Sequence, residues 1–223
     1  PERAAAGIVY GDAPWHRHQD LLDVQLYAHD RPFLSDLGYP QSWAHVGSWE
    51  GNWATHNALW SVVEGIEPLE LPFDTQFHFL KEIAGRGRLV RTLSADGVQL
   101  LEVEAKRWVF DIETLQWHDP GVRYRRLLGL IETDGNGVAL IDFSRIQGGN
   151  EHWRMCRGME GAFSAEGVEP RPRPGTLAGE HIARGEHDHL VHPDHAGLAW
   201  MDEVYALDVG RRWRGQWVFA RED

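Results

Sequence analysis

Apolar and polar positions alternate along most of this chain. Leu22, Val24, Leu26 and Ala28 interleave with Leu21, Asp23, Gln25 and Tyr27. A period of two sends alternate side chains to opposite faces, so this segment predicts a strand with one apolar face. His29-Asp30-Arg31 turns the chain, and 32–37 runs back as a second strand. Residues 7–12 and 58–63 also read as strands, separated by a long loop over 40–57 that is rich in Trp, Ser, Gly and Asn. Further on the rhythm is regular. Strands are expected over 76–83, 88–94, 98–105, 108–112, 122–132, 138–146, 152–157, 198–207 and 213–220. Ala95-Asp96-Gly97 and Asp134-Gly135-Asn136-Gly137 carry hairpin chemistry, because these residue types tolerate positive φ. Residues 164–196, with Pro170, Pro172 and Pro174, read as an irregular excursion. Many short strands joined by turns, without a long helical pattern, predict an all-β fold. The specific expectation is an antiparallel β-sandwich forming a single domain over 1–223.

Composition narrows the picture. The chain has 223 residues, enough for one domain with a full core. Its formal net charge of -12 argues against nucleic acid as a partner, since phosphate neutralisation needs a basic face. No apolar run approaches the roughly 18 residues of a membrane span. Cys156 is the single cysteine, so an internal disulfide is excluded, and it reads as a small buried hydrophobe rather than a nucleophile. The chain opens Pro1-Glu2-Arg3, with neither Met nor a signal segment, and is expected to be a piece of something longer.

The candidate chemistry lies near the start. His16, His18 and Asp20 share one face if the strand begins early enough, and Asp36 and His56 follow. Imidazoles and a carboxylate suit zinc. On spacing alone, His16/His18/His56 and His18/Asp36/His56 both remain possible ligand sets, and Asp20 is placed to orient an imidazole. Of the 11 tryptophans, Trp43, Trp49 and Trp53 sit in the polar loop and suggest flat platforms for sugar rings. The cluster from Glu186 to His195, interrupted by Pro193, reads as a solvated loop.

Two groups of residues carry a resemblance. The first is His16-x-His18-x-Asp20-x-Leu22, Leu26-Tyr27-Ala28, Arg31-Pro32-Phe33-Leu34-x-Asp36-x-Gly38-Tyr39 and His56-Asn57. The second is Tyr124-Arg125-Arg126, the strand over 138–146, Gly148-Gly149-Asn150-Glu151-His152, Gly161-Ala162-Phe163-Ser164 and Thr176-Leu177-Ala178-Gly179. Together they resemble the C-terminal portion of the heparinase II/III-like family of polysaccharide lyases, and also the oligoalginate lyases. Order, spacing and framing residues agree over 8–57, while 60–120 and the last forty residues agree less. The chain departs from the family in Trp15 and Arg17 around the first histidine, and in Trp153-Arg154-Met155-Cys156 after His152.

The resemblance implies an α/α-toroid domain ahead of β-sandwich domains, with the cleft between them. The toroid, absent from these residues, would supply a tyrosine and a further histidine. The resemblance also implies zinc held by His18, Asp36 and His56, with His16 facing the substrate uronate. His152 and Trp53 are further candidates for catalysis or substrate contact, and Asp20 and Asn57 for supporting the ligands. The implied reaction is β-elimination at a uronic acid in an acidic polysaccharide or oligosaccharide, and these residues alone are expected to be inactive. Arg17, Arg145, Arg154, Arg157 and the run Arg211-Arg212-Trp213-Arg214 are the local cations that could meet a polyanion. Two other classes fit part of the pattern. A cupin-like metalloenzyme would share His-x-His and a distant His, but lacks the Glu shortly after it. A non-catalytic carbohydrate-binding module would need the aromatic loop and no cleft-facing histidine.

Overall fold

The computed structural model describes residues 4–11, 18–38, 49–63, 86–111, 114, 116–186, 193–208, 210 and 212–218. His16, Trp15, Arg17, Tyr39, Trp43, the expected strand at 76–83, Arg211 and most of the histidine-rich segment lie outside them. The chain divides into two compact units, Pro1–Arg157 and Gly158–Asp223.

The first unit holds β1 (Ala5–Ile8), β2 (Val24–Ala28), β3 (Arg31–Leu34), β4 (Leu59–Val62), β5 (Arg86–Ala95) and β6 (Val98–Lys106). It continues with β7 (Val109–Asp111), β8 (Gln116–His118), β9 (Arg123–Thr133), β10 (Gly137–Gln147) and β11 (Glu151–Arg154). The second unit holds β12 (Ala162–Glu166), β13 (Arg171–Pro172), β14 (Tyr205–Ala206) and β15 (Arg214–Val218). The fold is all-β, and every strand pair among the described residues is antiparallel. No helix among them is long and apolar enough to cross a membrane.

In the first unit, β1-β2-β3 form one sheet, β10-β9-β6-β5 a second, and β11-β4 a two-stranded ribbon. The expected hairpins are present. His29 and Asp30 take φ of 52° and 58°, the left-handed pair that a tight β2–β3 turn needs. Gly97 and Gly135 take positive φ at the other two turns. The alternation on β9 and β6 aims Tyr124, Val103 and Ala105 inward. There they meet Leu22, Leu59 and Val122, with Ile8, Tyr10 and Ile146 around them. The core therefore joins the four-stranded sheet to β1, to β4 and to the turn before β2. In the second unit, β12 pairs with β15 and β13 with β14.

Three local expectations fail. Residues 198–207 were expected as one strand, but a 3-10 segment over Pro193–Trp200 is followed only by the two-residue β14. A short apolar run such as Leu198-Ala199-Trp200-Met201 has no polar alternation to choose between strand and helix. Cys156 is exposed rather than buried. Burial alternates along 151–157, and Cys156 falls on the outward register. The third failure is at the His-x-His run. The strand does not begin early enough to line up His18 and Asp20, because Leu21 and Leu22 form a turn and β2 starts at Val24. Leu22 sits at φ 59°, its N–H donating to Val9 at 2.7 Å and its carbonyl accepting from Arg126 at 2.6 Å.

Candidate metal centre

Three separate loops bring side chains to one point. His18 comes from the segment before β2. Its neighbour Gln19 anchors that segment by donating its N–H to Gly51 O at 2.8 Å and by accepting from Trp53 N at 3.2 Å through Oε1. Asp36 follows β3, and one carboxylate oxygen accepts from the Gly38 N–H, which holds the side chain against its own turn. His56 closes the 3-10 turn Trp53–Thr55, which Asn52 caps by accepting from Ala54 N at 3.0 Å. The segment 51–62 is buried throughout, so the end of the expected loop over 51–57 is packed inside the protein. Its polar groups bond locally; Thr55 Oγ1 donates to Asn52 O at 2.9 Å.

One ligand atom from each of His18, Asp36 and His56 lies within 4.8 Å of the others. The two imidazole centroids are 5.3 Å apart. Tetrahedral ligands at about 2.1 Å from zinc stand roughly 3.4 Å from one another, so small side-chain rotations complete such a site. His56 has no exposed surface. Its Nδ1 lies 2.7 Å from Asp36 Oδ2, yet the contact is poorly directed, and neither ring nitrogen makes a well-formed hydrogen bond. Buried polar atoms without directed partners are costly, and a cation between the two groups satisfies both. The three side chains could therefore hold a metal ion.

Electrostatics point the same way. Burial pushes the carboxyls of Asp20 and Asp23 above their ordinary value, with the His56 imidazole opposing the rise in both. Burial also pushes Asp36 up. There the His56 imidazole, the Gly38 N–H and the His18 imidazole outweigh burial and hold the carboxyl below its ordinary value. Three carboxylates around one buried imidazole form an environment that a bound cation stabilises.

The supporting framework is centred on Asn57. Its N–H donates to Asp23 Oδ1 at 2.6 Å, its Oδ1 accepts from Arg157 N at 2.5 Å, and its carbonyl accepts from Arg126 Nη1 at 2.6 Å. Arg157 also donates to Ser35 O at 2.9 Å, so one residue ties the segments carrying Asp36 and His56. Arg126 is buried and forks onto Asp142 at 3.0 and 2.5 Å while also reaching Leu22 O. Sequence reasoning missed Asp23 and Gln19. Asp23 was placed on the polar face of the strand, but it is fully buried, and its carboxylate is spent on Asn57 and Gln25. An acid between two apolar residues, Leu22 and Val24, was the available signal.

The remaining candidates fall apart from the three ligands or outside the described residues. No hydrogen bond joins the Asp20 carboxylate to a ligand imidazole in the structure; its link to the site is electrostatic. His16 is outside the described residues. Trp53 was expected to face a ligand, but it has no exposed surface. Its ring stacks on Trp60 at 5.7 Å with 5° between planes, and tilts against Trp153 at 5.8 Å. Backbone anchoring at Gln19 and Asn52 turns this tryptophan inward. Trp49 is half-buried. His152 is exposed on β11, with Nδ1 3.0 Å from Ser61 Oγ.

Comparison with protein-family models, curated proteins and solved structures returned no match.

Proposed function

We propose that this chain is the zinc-holding β-structured portion of a polysaccharide lyase that cleaves uronate-containing glycans, and that it forms one wall of the cleft. The observation carrying this reading is the convergence of His18, Asp36 and His56, because three separated loops meet in the donor set that the family resemblance implies.

In the proposed reaction the C5 proton of the uronate leaves to a base, the C4–O bond breaks and a C4–C5 double bond forms. A general acid protonates the departing glycosidic oxygen. Zinc held by His18, Asp36 and His56 would supply a fixed positive charge within that wall. The chain's own part is to place that charge and to offer donors to the uronate carboxylate. His16 is the proposed contact on the cleft side, and the base is assigned to the helical toroid that the resemblance implies.

Two measurements test the proposal. Metal analysis should find about one zinc per chain, lost in His18→Ala, Asp36→Ala and His56→Ala and kept in His16→Ala. Zinc lost from His16→Ala and kept in Asp36→Ala would overturn this ligand set. The full-length protein, incubated with acidic glycans, should release products with the ultraviolet absorption of an unsaturated uronate. Saturated products alone would remove the lyase reading.

A further inference from the structure

We infer that Ser61 is a positioning residue that fixes the tautomer of His152, so that β11 presents His152 Nε2–H and the Arg154 guanidinium as a stripe of donors for a sugar carboxylate. The ligand class rests on the proposed function; the hydrogen-bond assignment stands on geometry alone.

Ser61 and His152 are directly opposed in the β4–β11 register, so their side chains leave the ribbon on the same face. Ser61 has no exposed surface, whereas His152 is exposed. Close approach of the two strands depends on the Gly148-Gly149 turn. Gly149 has φ 82°, and a Cβ there would sit 3.0 Å from Ser61 Cβ and 3.1 Å from Val62 O. Asn150 N then donates to Val62 O at 2.9 Å and seats β11 on β4.

A buried hydroxyl proton needs an acceptor. Among the described residues, the side-chain partner of the Ser61 hydroxyl is His152 Nδ1, at 3.0 Å. The hydroxyl therefore donates and Nδ1 accepts through its lone pair. Neutral imidazole has one proton, and it must then sit on Nε2. That N–H is the group the exposed ring offers outward, which makes His152 a donor rather than an acceptor in its neutral form.

Arg154 lies two residues along β11 on the same face, roughly 7 Å away. Its side chain is half-exposed, and Nη2 is 2.8 Å from Asp142 Oδ2. Arg126 already grips that carboxylate with two nitrogens. Two guanidinium groups on one carboxylate leave one positive charge over. In a chain with a formal net charge of -12, such a spot selects an anion. Two donors and a surplus positive charge on one strand face match the carboxylate and neighbouring oxygens of a uronic acid.

Nitrogen-15 NMR of the imidazoles, at a pH where they are neutral, reads the tautomer directly. Wild type should show the widely separated nitrogen shifts of a single Nε2–H tautomer. In Ser61→Ala the two shifts should move toward each other, as in a freely exchanging ring, and Ser61→Thr should restore them. Averaged shifts in wild type, which needs no variant to fold, would overturn the assignment, as would unchanged shifts in a folded Ser61→Ala. Titration with tetragalacturonate and tetramannuronate should then shift His152 Nε2, and Arg154→Gln should weaken the response at least severalfold. A fixed tautomer with no response to either oligouronate would overturn the ligand class and leave the zinc measurements untouched. Loss of the zinc reading with a fixed, responsive His152 would overturn only the lyase proposal.

Discussion

Trp53 and Asp119 show how neighbours set a residue's role. Trp53 sits in a stretch of Gly, Asn, Thr and His that reads as exposed loop, yet its indole is wholly buried against Trp60 and Trp153. Trp53→Ala should therefore cost about 3–5 kcal/mol in denaturant unfolding, as for other buried aromatics truncated to alanine. A loss of glycan binding at unchanged stability would mean that the ring serves a ligand instead. Asp119 behaves differently from Asp20 and Asp23, whose carboxyls burial pushes up. Arg123 grips both its oxygens at 2.7 and 2.6 Å, and the Gly121 N–H adds a third bond, so its carboxyl is lowered from 3.8 to about 2. A value lowered on folding favours the ionised form in the native state. Its contribution is complete above the ordinary carboxylate range and is lost as pH falls from about 4 toward 2. Carboxyl NMR should find Asp119 still ionised at pH 3, and Asp119→Asn should flatten the acid limb of the stability profile over that interval.

At the level of elements, Arg126 joins the four-stranded sheet to the loops that carry the ligands. From β9 it reaches Leu22 O, Asn57 O and Asp142 in one step. Side chains of both members of the Arg126–Asp142 pair are nearly buried, at 2% and 10% exposure. Arg126→Met should cost roughly 3 kcal/mol, because it leaves a nearly buried carboxylate with only the half-exposed Arg154 and takes the donor from Leu22 O. The double change Arg126→Met with Asp142→Leu should recover part of that loss, since removing both members leaves no nearly buried carboxylate short of a partner. Equilibrium denaturation of the single and double variants measures the difference. Equal stabilities would show that the pair carries no coupling.

For the whole molecule, the three donors and their supporting residues, Asp23, Asn57, Arg126 and Arg157, all belong to the unit Pro1–Arg157. A ligand that binds only the folded state stabilises it by about 2.7 kcal/mol at a hundredfold excess over its dissociation constant. Chelation should therefore lower the thermal unfolding midpoint of this unit. The transition of Gly158–Asp223 should stay in place. Calorimetry with and without chelator tests this, and an equal fall in both transitions would place the metal's influence beyond the site described.

The sequence by itself determined most strands of the first unit and their hairpin turns. Period-two alternation and the positive-φ residues at 29–30, 97 and 135 act within a few residues of chain, so they are readable without knowing what lies across the core. It also held the three ligand types in order, because donor chemistry belongs to the residue. Only the tertiary structure decided which of those residues meet. His18, Asp36 and His56 converge through contacts such as Gln19 with Trp53 and Arg157 with both Ser35 and Asn57, between residues far apart in the chain. Burial was decided there too. Asp23 and Trp53 are inside because partners from other segments satisfy or cover them, and no local pattern encodes a partner 34 residues away.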